Sequence, residues 1–169
     1  MCCIFIVYVV YYPLLPSILD EVVMGEWIRF IVFGIFALFI GIIDLKTLKI
    51  PNYLLISMAF SLLLFDFLWN FSLIPLYLLS GLGAFGLFFA VFWLRGGLGF
   101  GDVKYAALIG YFLGPRQFIT GLLCAVILGM VYWCIGYTFL QWTSIKRFPF
   151  GPWLSCGAII SGIFYRRML

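Results

Sequence analysis

Long apolar runs, separated by short breaks, occupy nearly the whole of this chain. Hydrophobic residues make up 66% of its 169 positions, and charged residues only 9%. A soluble globular domain is about half apolar and about a quarter charged. The sequence therefore predicts an all-α, polytopic membrane protein. It contains no basic stripe of the kind that binds nucleic acid, so the expected surroundings are membrane lipid.

The positions of the breaks predict six to seven transmembrane helices in a single domain, residues 1–169. The predicted helices cover 2–17, 27–44, 52–68, 73–94, 102–114, 117–140 and 152–166. The first is ambiguous because Pro13 and Pro16 interrupt it, and its N-terminus does not resemble a cleavable signal peptide. The helix 102–114 is shorter than the ~20 residues that span a bilayer, so it requires a thinned or protein-buried setting.

The distribution of basic residues predicts the orientation in the membrane. Alternation puts the connections 44–52, 95–101 and 141–151 on one side. Six basic residues belong to that side: Lys46, Lys49, Arg95, Lys104, Lys146 and Arg147. Four belong to the other: Arg29, Arg116, Arg166 and Arg167. The positive-inside rule makes the first side cytoplasmic.

The absence of histidine limits the possible chemistry. With no His in the chain, Ser-His-Asp catalysis and His-ligated zinc are excluded. The five cysteines form no Cys-x-x-Cys pair and are expected to be buried apolar residues. Catalysis would have to use carboxylates, Lys, Tyr, Ser or Cys.

A first candidate site follows the predicted helix 27–44. Asp44 closes the helix, Pro51 suits the first turn of the next one, and Asn52 could satisfy free amides there. An ionisable residue at membrane depth is a functional hypothesis by default. The alternative is an ordinary interfacial Asp in a polar turn.

A second candidate site lies at Gly99-Phe100-Gly101-Asp102-Val103-Lys104. Four glycines in the six residues 96–101 resist helix formation, and they would let a substrate backbone approach closely. Asp102 then begins a helix. The alternatives are an N-terminal capping Asp, or a phosphate-binding loop, for which Gly-x-Gly alone is weak evidence.

Together the two sites predict a carboxylate dyad that hydrolyses peptide bonds. Two close carboxylates share a proton, so that one activates water and the other polarises the carbonyl. The helix ends suggest that Asp102 is the ionised base and Asp44 the protonated partner.

Three motifs in this order resemble those of the bacterial type IV prepilin peptidases, which are intramembrane aspartic proteases of the Gly-x-Gly-Asp class. These are Asp-x5-Ile-Pro-Asn from Asp44, Gly-x-Gly-Asp-x-Lys from Gly99, and Phe-Pro-Phe-Gly-Pro at residues 148–152. The resemblance covers roughly residues 12–165. It implies that Asp44 and Asp102 are catalytic and that the enzyme removes leaders from prepilins or pseudopilins at the cytoplasmic face of the bacterial inner membrane.

The same resemblance implies supporting or substrate-binding roles for further residues: Gly99, Gly101, Lys104, Pro51, Asn52, Pro149, Gly151 and Pro152. No metal or organic cofactor is expected. Full-length members carry a zinc-binding Cys-x-x-Cys insertion associated with methylation. This chain lacks it, so it resembles the short, peptidase-only members, and methylation would fall to another protein.

Several alternatives stay open. Lys104 follows Asp102 by two residues, too near to face the same way, and could steer the leader or snorkel at the interface. A Ser-Lys dyad using Ser144, Ser155 or Ser161 has no support from spacing. The rival functions are an archaeal-type preflagellin peptidase, an ion transporter or channel that uses both aspartates, and a structural subunit. The oligomeric state is not predicted.

Overall fold

The computed structural model of the chain describes residues 15–95, 98–139 and 149–166. Within these residues it contains five α-helices and one short 3-10 turn. The helices are α1 (Leu15–Thr47), α2 (Asn52–Trp69), α3 (Ile74–Arg95), α4 (Phe100–Phe139) and α5 (Gly151–Arg166), and the 3-10 turn is Phe71–Leu73. The all-α prediction is confirmed.

The helix α1 begins earlier than predicted. The predicted helices 2–17 and 27–44 left a break between them, where three acidic residues interrupt the apolar pattern, but α1 runs without a break from Leu15 to Thr47. The predicted break was wrong because polar residues such as Glu are good helix formers and do not end a helix by themselves. The rest of the predicted helix 2–17 lies outside the described residues.

The helix α4 contains a reversal of the chain at Gly114. This residue has φ 75° and ψ 173°, and Pro115 follows it. Residues 115–139 pack antiparallel to α5, since Gly121 lies near Gly157 while the hydroxyl of Thr120 bonds to that of Ser161 at 2.7 Å. The two predicted helices 102–114 and 117–140 therefore correspond to two segments of α4, residues 100–113 and residues 115–139.

The first segment of α4 (residues 100–113) forms the centre of the bundle. Its buried side chains include Val103, Tyr105, Ala106, Ile109 and Phe112. Its 14 residues are about 21 Å long, shorter than the ~30 Å hydrocarbon core. Of the two settings expected for so short a helix, a thinned bilayer or burial in protein, the structure shows the second.

Small residues allow the neighbouring helices to approach this segment closely. A Cβ added to Gly110 would lie 2.6 Å from Ala84 Cβ on α3, and one added to Gly81 would lie 3.0 Å from the Ala107 carbonyl oxygen. Gly81 and Ala84 thus allow α3 to pack closely against this segment. Gly83 and Gly86 do not, since nothing lies within 4 Å of a Cβ added there.

Four stretches in the described part of the chain are long and apolar enough to cross a membrane: Met24–Thr47, Asn52–Trp69, Phe71–Leu94 and Phe100–Gly136. The predicted count of six to seven spans is not confirmed. Large apolar side chains cover the outside of the bundle, for example Phe60, Trp93 and Leu94, as expected for a protein surrounded by lipid.

Candidate active site

Asp44 lies near the C-terminal end of α1, with only 4% of its surface exposed. The helix ends just after it, where Leu48 adopts a left-handed φ of 53° and donates its backbone N–H to the Asp44 carbonyl oxygen at 2.9 Å. The Asp44 side chain turns towards α5, whose Gly151 N–H donates to its Oδ2 at 3.1 Å. The carboxylate is therefore held by a residue 107 positions away in the chain.

Gly151 contacts Asp44 so closely that a side chain does not fit between them. A Cβ added to Gly151 would lie 2.8 Å from Asp44 Oδ2 and 3.2 Å from its Cγ. Such distances are shorter than ordinary van der Waals contact. The contact gives Gly151, in the third motif, a definite supporting role: it positions the Asp44 carboxylate.

The N-terminal end of α5 also changes the electrostatic argument for Asp44. The prediction that Asp44 is the protonated partner considered only α1, whose C-terminal end disfavours a carboxylate. The N-terminal end of α5, which faces the same group, has the opposite polarity. Which aspartate carries the proton stays a prediction.

Asp102 lies in the first turn of α4, which begins at Phe100, two residues before the predicted start. Its Oδ2 accepts a hydrogen bond from the Gly99 N–H at 3.2 Å, and its own N–H donates to the Gly99 carbonyl at 3.0 Å. This is the arrangement of a residue that caps its own helix. The capping role and the proposed chemical role are compatible, because the other carboxylate oxygen is not used by this bond.

The two carboxylates line one cavity of about 410 Å³ at one end of the bundle. Three helices contribute to it: the end of α1 and the beginnings of α2 and α4, with the loops between α1 and α2 and before α4. The lining residues are Asp44, Leu48, Lys49, Ile50, Asn52, Gly99, Phe100, Gly101, Asp102 and Lys104. The fold therefore brings together both aspartates and most of the residues that sequence reasoning selected.

Within the described residues, no group of three or more His, Cys, Asp or Glu side chains is arranged to hold a metal ion. The cavity instead offers two carboxylates beside glycine-rich backbone.

Comparison with known proteins identifies the family of the chain. Residues 31–134 match the type IV leader peptidase family. This chain belongs to that family. The matched region contains both Asp44 and Asp102, and it ends before Gly151.

Curated relatives agree with this assignment. The chain is 28% identical over 134 residues to a prepilin leader peptidase/N-methyltransferase of Pectobacterium carotovorum subsp. carotovorum, covering 76% of this chain and 48% of the relative. It is 29% identical over 134 residues to a protein of the same description from Escherichia coli (strain K12), covering 75% and 58%. It therefore spans about half the length of these two.

A shorter relative matches over most of its length. Leader peptidase HopD of Salmonella typhimurium (strain LT2) is 28% identical over 143 residues, covering 78% of this chain and 90% of the relative. This coverage is consistent with the predicted short form of the family. No solved structure matches the chain significantly.

In this member of the leader peptidase family, the loop between α1 and α2 lies close to the start of α4. A Cβ added to Gly101 would lie 3.2 Å from Ile50 Cβ. Pro51 precedes α2 with extended backbone angles (φ −73°, ψ 130°) rather than lying in its first turn. The close packing of Gly101 against the loop that carries Pro51 thus explains why this position has no side chain.

Lys104 and Asn52 join α4 to α2. Lys104 Nζ donates to Asn52 Oδ1 at 3.1 Å and lies 5.0 Å from the centre of the Phe100 ring. Lys104 and Asp102 both line the cavity, because the cavity extends along the first turn of α4. That the two side chains do not face the same way stays a prediction. Asn52, predicted to satisfy free amides, has Lys104 as its partner.

The prolines of the third motif flank the start of α5. Pro149 is partly buried before the helix, and Pro152 is buried in its first turn, where a Cβ on Gly41 of α1 would lie 3.7 Å from Pro152 Cα. Pro152 thus packs against α1 beside the Gly151 contact, and a supporting role for Pro149 stays a prediction. Phe148 lies outside the described residues.

The serines considered for a Ser-Lys dyad have other partners. The Ser155 hydroxyl bonds with Tyr105 at 2.6 Å and with the Gly151 carbonyl at 3.0 Å. Ser161 donates to the Gln117 carbonyl at 2.8 Å. Ser144 lies outside the described residues. These bonds give Ser155 and Ser161 structural roles.

Sequence reasoning missed a buried ion pair. It counted Arg29 among the charges on the far side of the membrane, whereas Arg29 and Asp66 are 2% and 0% exposed and their Nε and Oδ1 atoms are 2.9 Å apart. The available signal was that Asp66 lies inside a predicted apolar helix, where a charge needs a partner. Arg29 was the opposite charge at matching depth.

Proposed function

We propose that this chain is an intramembrane aspartic endopeptidase that removes leader peptides from type IV prepilins or pseudopilins. Membership of the type IV leader peptidase family supports the class of substrate. The proposal that the enzyme is an aspartic peptidase rests on one observation: two carboxylates, 58 residues apart in the chain, line one cavity. No other pair of acidic residues in the described part of the chain shares that cavity.

The proposed reaction needs one ionised and one protonated carboxyl group. The ionised group takes a proton from water while the water oxygen bonds to the carbonyl carbon of the scissile peptide. The protonated group gives its proton to the carbonyl oxygen. The C–N bond then breaks as the nitrogen takes up a proton, which releases a new carboxyl group and a new amine.

The glycine-rich start of α4 suits a substrate in extended form. Gly99 and Gly101 line the cavity and carry no side chains that would keep a second backbone away. A peptide bond inside a helix is shielded by its neighbouring turns, so the cleavage junction has to unwind before it reaches the carboxylates. At the place where the junction unwinds, the cavity provides access for water and polar groups.

The proposed orientation puts the cavity at the cytoplasmic face of the bacterial inner membrane. The predicted distribution of basic residues, six against four, favoured this orientation. Arg29 is buried and paired with Asp66, so it no longer counts as a loop charge on the opposite side. The remaining count of six against three supports the same orientation more strongly.

A cleavage assay on a synthetic prepilin tests the proposal. Purified wild-type protein in detergent is expected to shift the precursor band, whereas Asp44→Asn and Asp102→Asn are each expected to leave it intact. Glu26→Gln is the matched control, because it removes an acidic charge from the far end of α1. Cleavage at the wild-type rate by either aspartate variant would contradict the dyad.

The same variants separate the rival functions. A transporter or channel predicts ion flux in liposomes that depends on both aspartates, with no cleavage of any precursor. A preflagellin peptidase predicts cleavage of preflagellin in preference to prepilin. A structural subunit predicts that both Asp→Asn changes are tolerated in the cell.

A further inference from the structure

The ion pair of Arg29 and Asp66 lies among four helices. Besides the Nε–Oδ1 ion contact, Arg29 Nη2 donates a hydrogen bond to Asp66 Oδ2 at 3.2 Å. The guanidinium carbon lies 4.2 Å from the centre of the Tyr77 ring and 5.3 Å from that of Phe112. Arg29 thus connects α1 with α2, α3 and α4.

Arg29 also contacts the end of the segment that carries Asp102. Its Nη2 donates to the Tyr111 carbonyl oxygen at 3.4 Å. In a continuous α-helix that carbonyl would accept from the N–H of residue 115. Residue 115 is proline and has no N–H, and Gly114 ends the helix. The guanidinium therefore supplies both a donor and a positive charge at the C-terminal end of this segment, where both are stabilising.

The pair lies towards the opposite end of the bundle from the cavity. Arg29 precedes Asp44 by fifteen residues on the same helix, about 22 Å at the helical rise. Tyr111 follows Asp102 by nine residues, about 14 Å. Arg29 is therefore attached rigidly to one carboxylate through α1 and contacts the far end of the short helix that carries the other.

We propose that Arg29 and Asp66 are positioning residues that fix the depth of residues 100–113 against α1, and hence the position of Asp102 relative to Asp44. This inference rests on the proposed function only in its consequence for catalysis. Asp66 orients the guanidinium through one hydrogen bond and the Nε–Oδ1 ion contact, and the guanidinium donates to the Tyr111 carbonyl. Without Asp66, Arg29 loses its orientation and the short helix can shift along its axis.

The test combines a distance measurement with kinetics. Spin labels are attached at Leu45 and Phe100, both exposed, in a chain whose five cysteines are replaced, and electron paramagnetic resonance gives the distance distribution. Asp66→Asn and Arg29→Lys are expected to shift or broaden the distribution. In unlabelled protein they are expected to lower kcat by about tenfold or more, with KM nearly unchanged.

The matched control is Glu26→Gln, which removes a carboxylate 3.9 Å from the same guanidinium but leaves the Asp66 and Tyr111 contacts in place. Its distance distribution and kcat are expected to equal those of the wild type. Asp66→Glu retains the charge and is expected to recover part of the kcat lost in Asp66→Asn. If Asp66→Asn does not fold, Arg29→Lys, which keeps the buried positive charge, decides the test.

Two results distinguish this inference from the proposed function. If the wild type cleaves no precursor but both variants still alter the distance distribution, the proposed function fails and the positioning role stands. If both variants lower the melting temperature yet keep the wild-type distribution and kcat, the pair only stabilises the fold and the inference is overturned.

Discussion

The contact between Gly151 and Asp44 gives the sharpest prediction. In Gly151→Ala the new Cβ would lie 2.8 Å from Asp44 Oδ2. Ordinary contact begins near 3.4 Å, so the carboxylate would have to retreat by about 0.6 Å. The hydrogen bond from the Gly151 N–H, now 3.1 Å, would lengthen to roughly 3.7 Å, which is no longer a hydrogen bond.

The expected loss is in catalysis rather than in stability. A displacement of about 1 Å at a reacting group can cost about 100-fold in rate, so a displacement of roughly half that size is expected to lower kcat about 10- to 100-fold. This corresponds to about 1.4–2.7 kcal/mol in the activation barrier. Gly151 is the first residue of α5, so the change to alanine has little effect on helix propensity, and the melting temperature is expected to change less than kcat.

The assay is cleavage of a synthetic precursor, with kcat and KM measured beside the melting temperature in detergent. Gly83→Ala is the neutral control, because nothing lies within 4 Å of its added Cβ. Gly157→Ala is the packing control: its Cβ would lie 2.8 Å from Ala125 Cβ, between α4 and α5. A wild-type kcat in Gly151→Ala, or a loss of kcat only in proportion to a fall in melting temperature, as in Gly157→Ala, would refute the reasoning.

Two further predictions concern helix packing and the cavity wall. Gly110→Val is expected to destabilise the protein by about 1–3 kcal/mol, because even its Cβ would lie 2.6 Å from Ala84 Cβ; thermal unfolding beside Gly86→Val, an open position, measures the difference. Lys104→Met removes the 3.1 Å bond to Asn52 and is expected to raise KM several-fold while kcat stays within about threefold. A kcat as low as that of the aspartate variants would instead give Lys104 a part in the chemistry.

The parts of the fold that sequence predicted best depend on local patterns. α2 and α3 were predicted to within about two residues at each end because Pro51 and the polar residue Asn70 interrupt the apolar runs there. The predicted break between helices 102–114 and 117–140 falls where α4 reverses, at Gly114 and Pro115, which are strong helix breakers. The start of α1 was not predicted, because a change from apolar to acidic residues alters the surface of a helix without ending it.

The parts of the site that sequence missed depend on contacts between distant segments. Asp44 and Asp102 could be selected because charged residues are rare in apolar helices. That Gly151 positions Asp44 requires knowledge of how α5 packs against α1. Arg29 was assigned to the far side because charges were counted by position along the chain, and such a count does not distinguish a paired, buried charge from an exposed one.

The supports of the two aspartates are of different kinds. Asp44 is held from outside its own helix, by the Gly151 N–H of α5. Asp102 is held within its own first turn, by the Gly99 N–H. That local bond moves with the helix, so it fixes the orientation of the Asp102 carboxylate but not its depth in the bundle. Depth has to come from contacts further along residues 100–113, and the Tyr111 carbonyl, at the end of that segment, is bonded to an arginine on the helix of Asp44. For a carboxylate pair whose members come from separate helices, this bond and the stacking of Phe33 on Phe112 at 3.8 Å relate the position of one helix to that of the other.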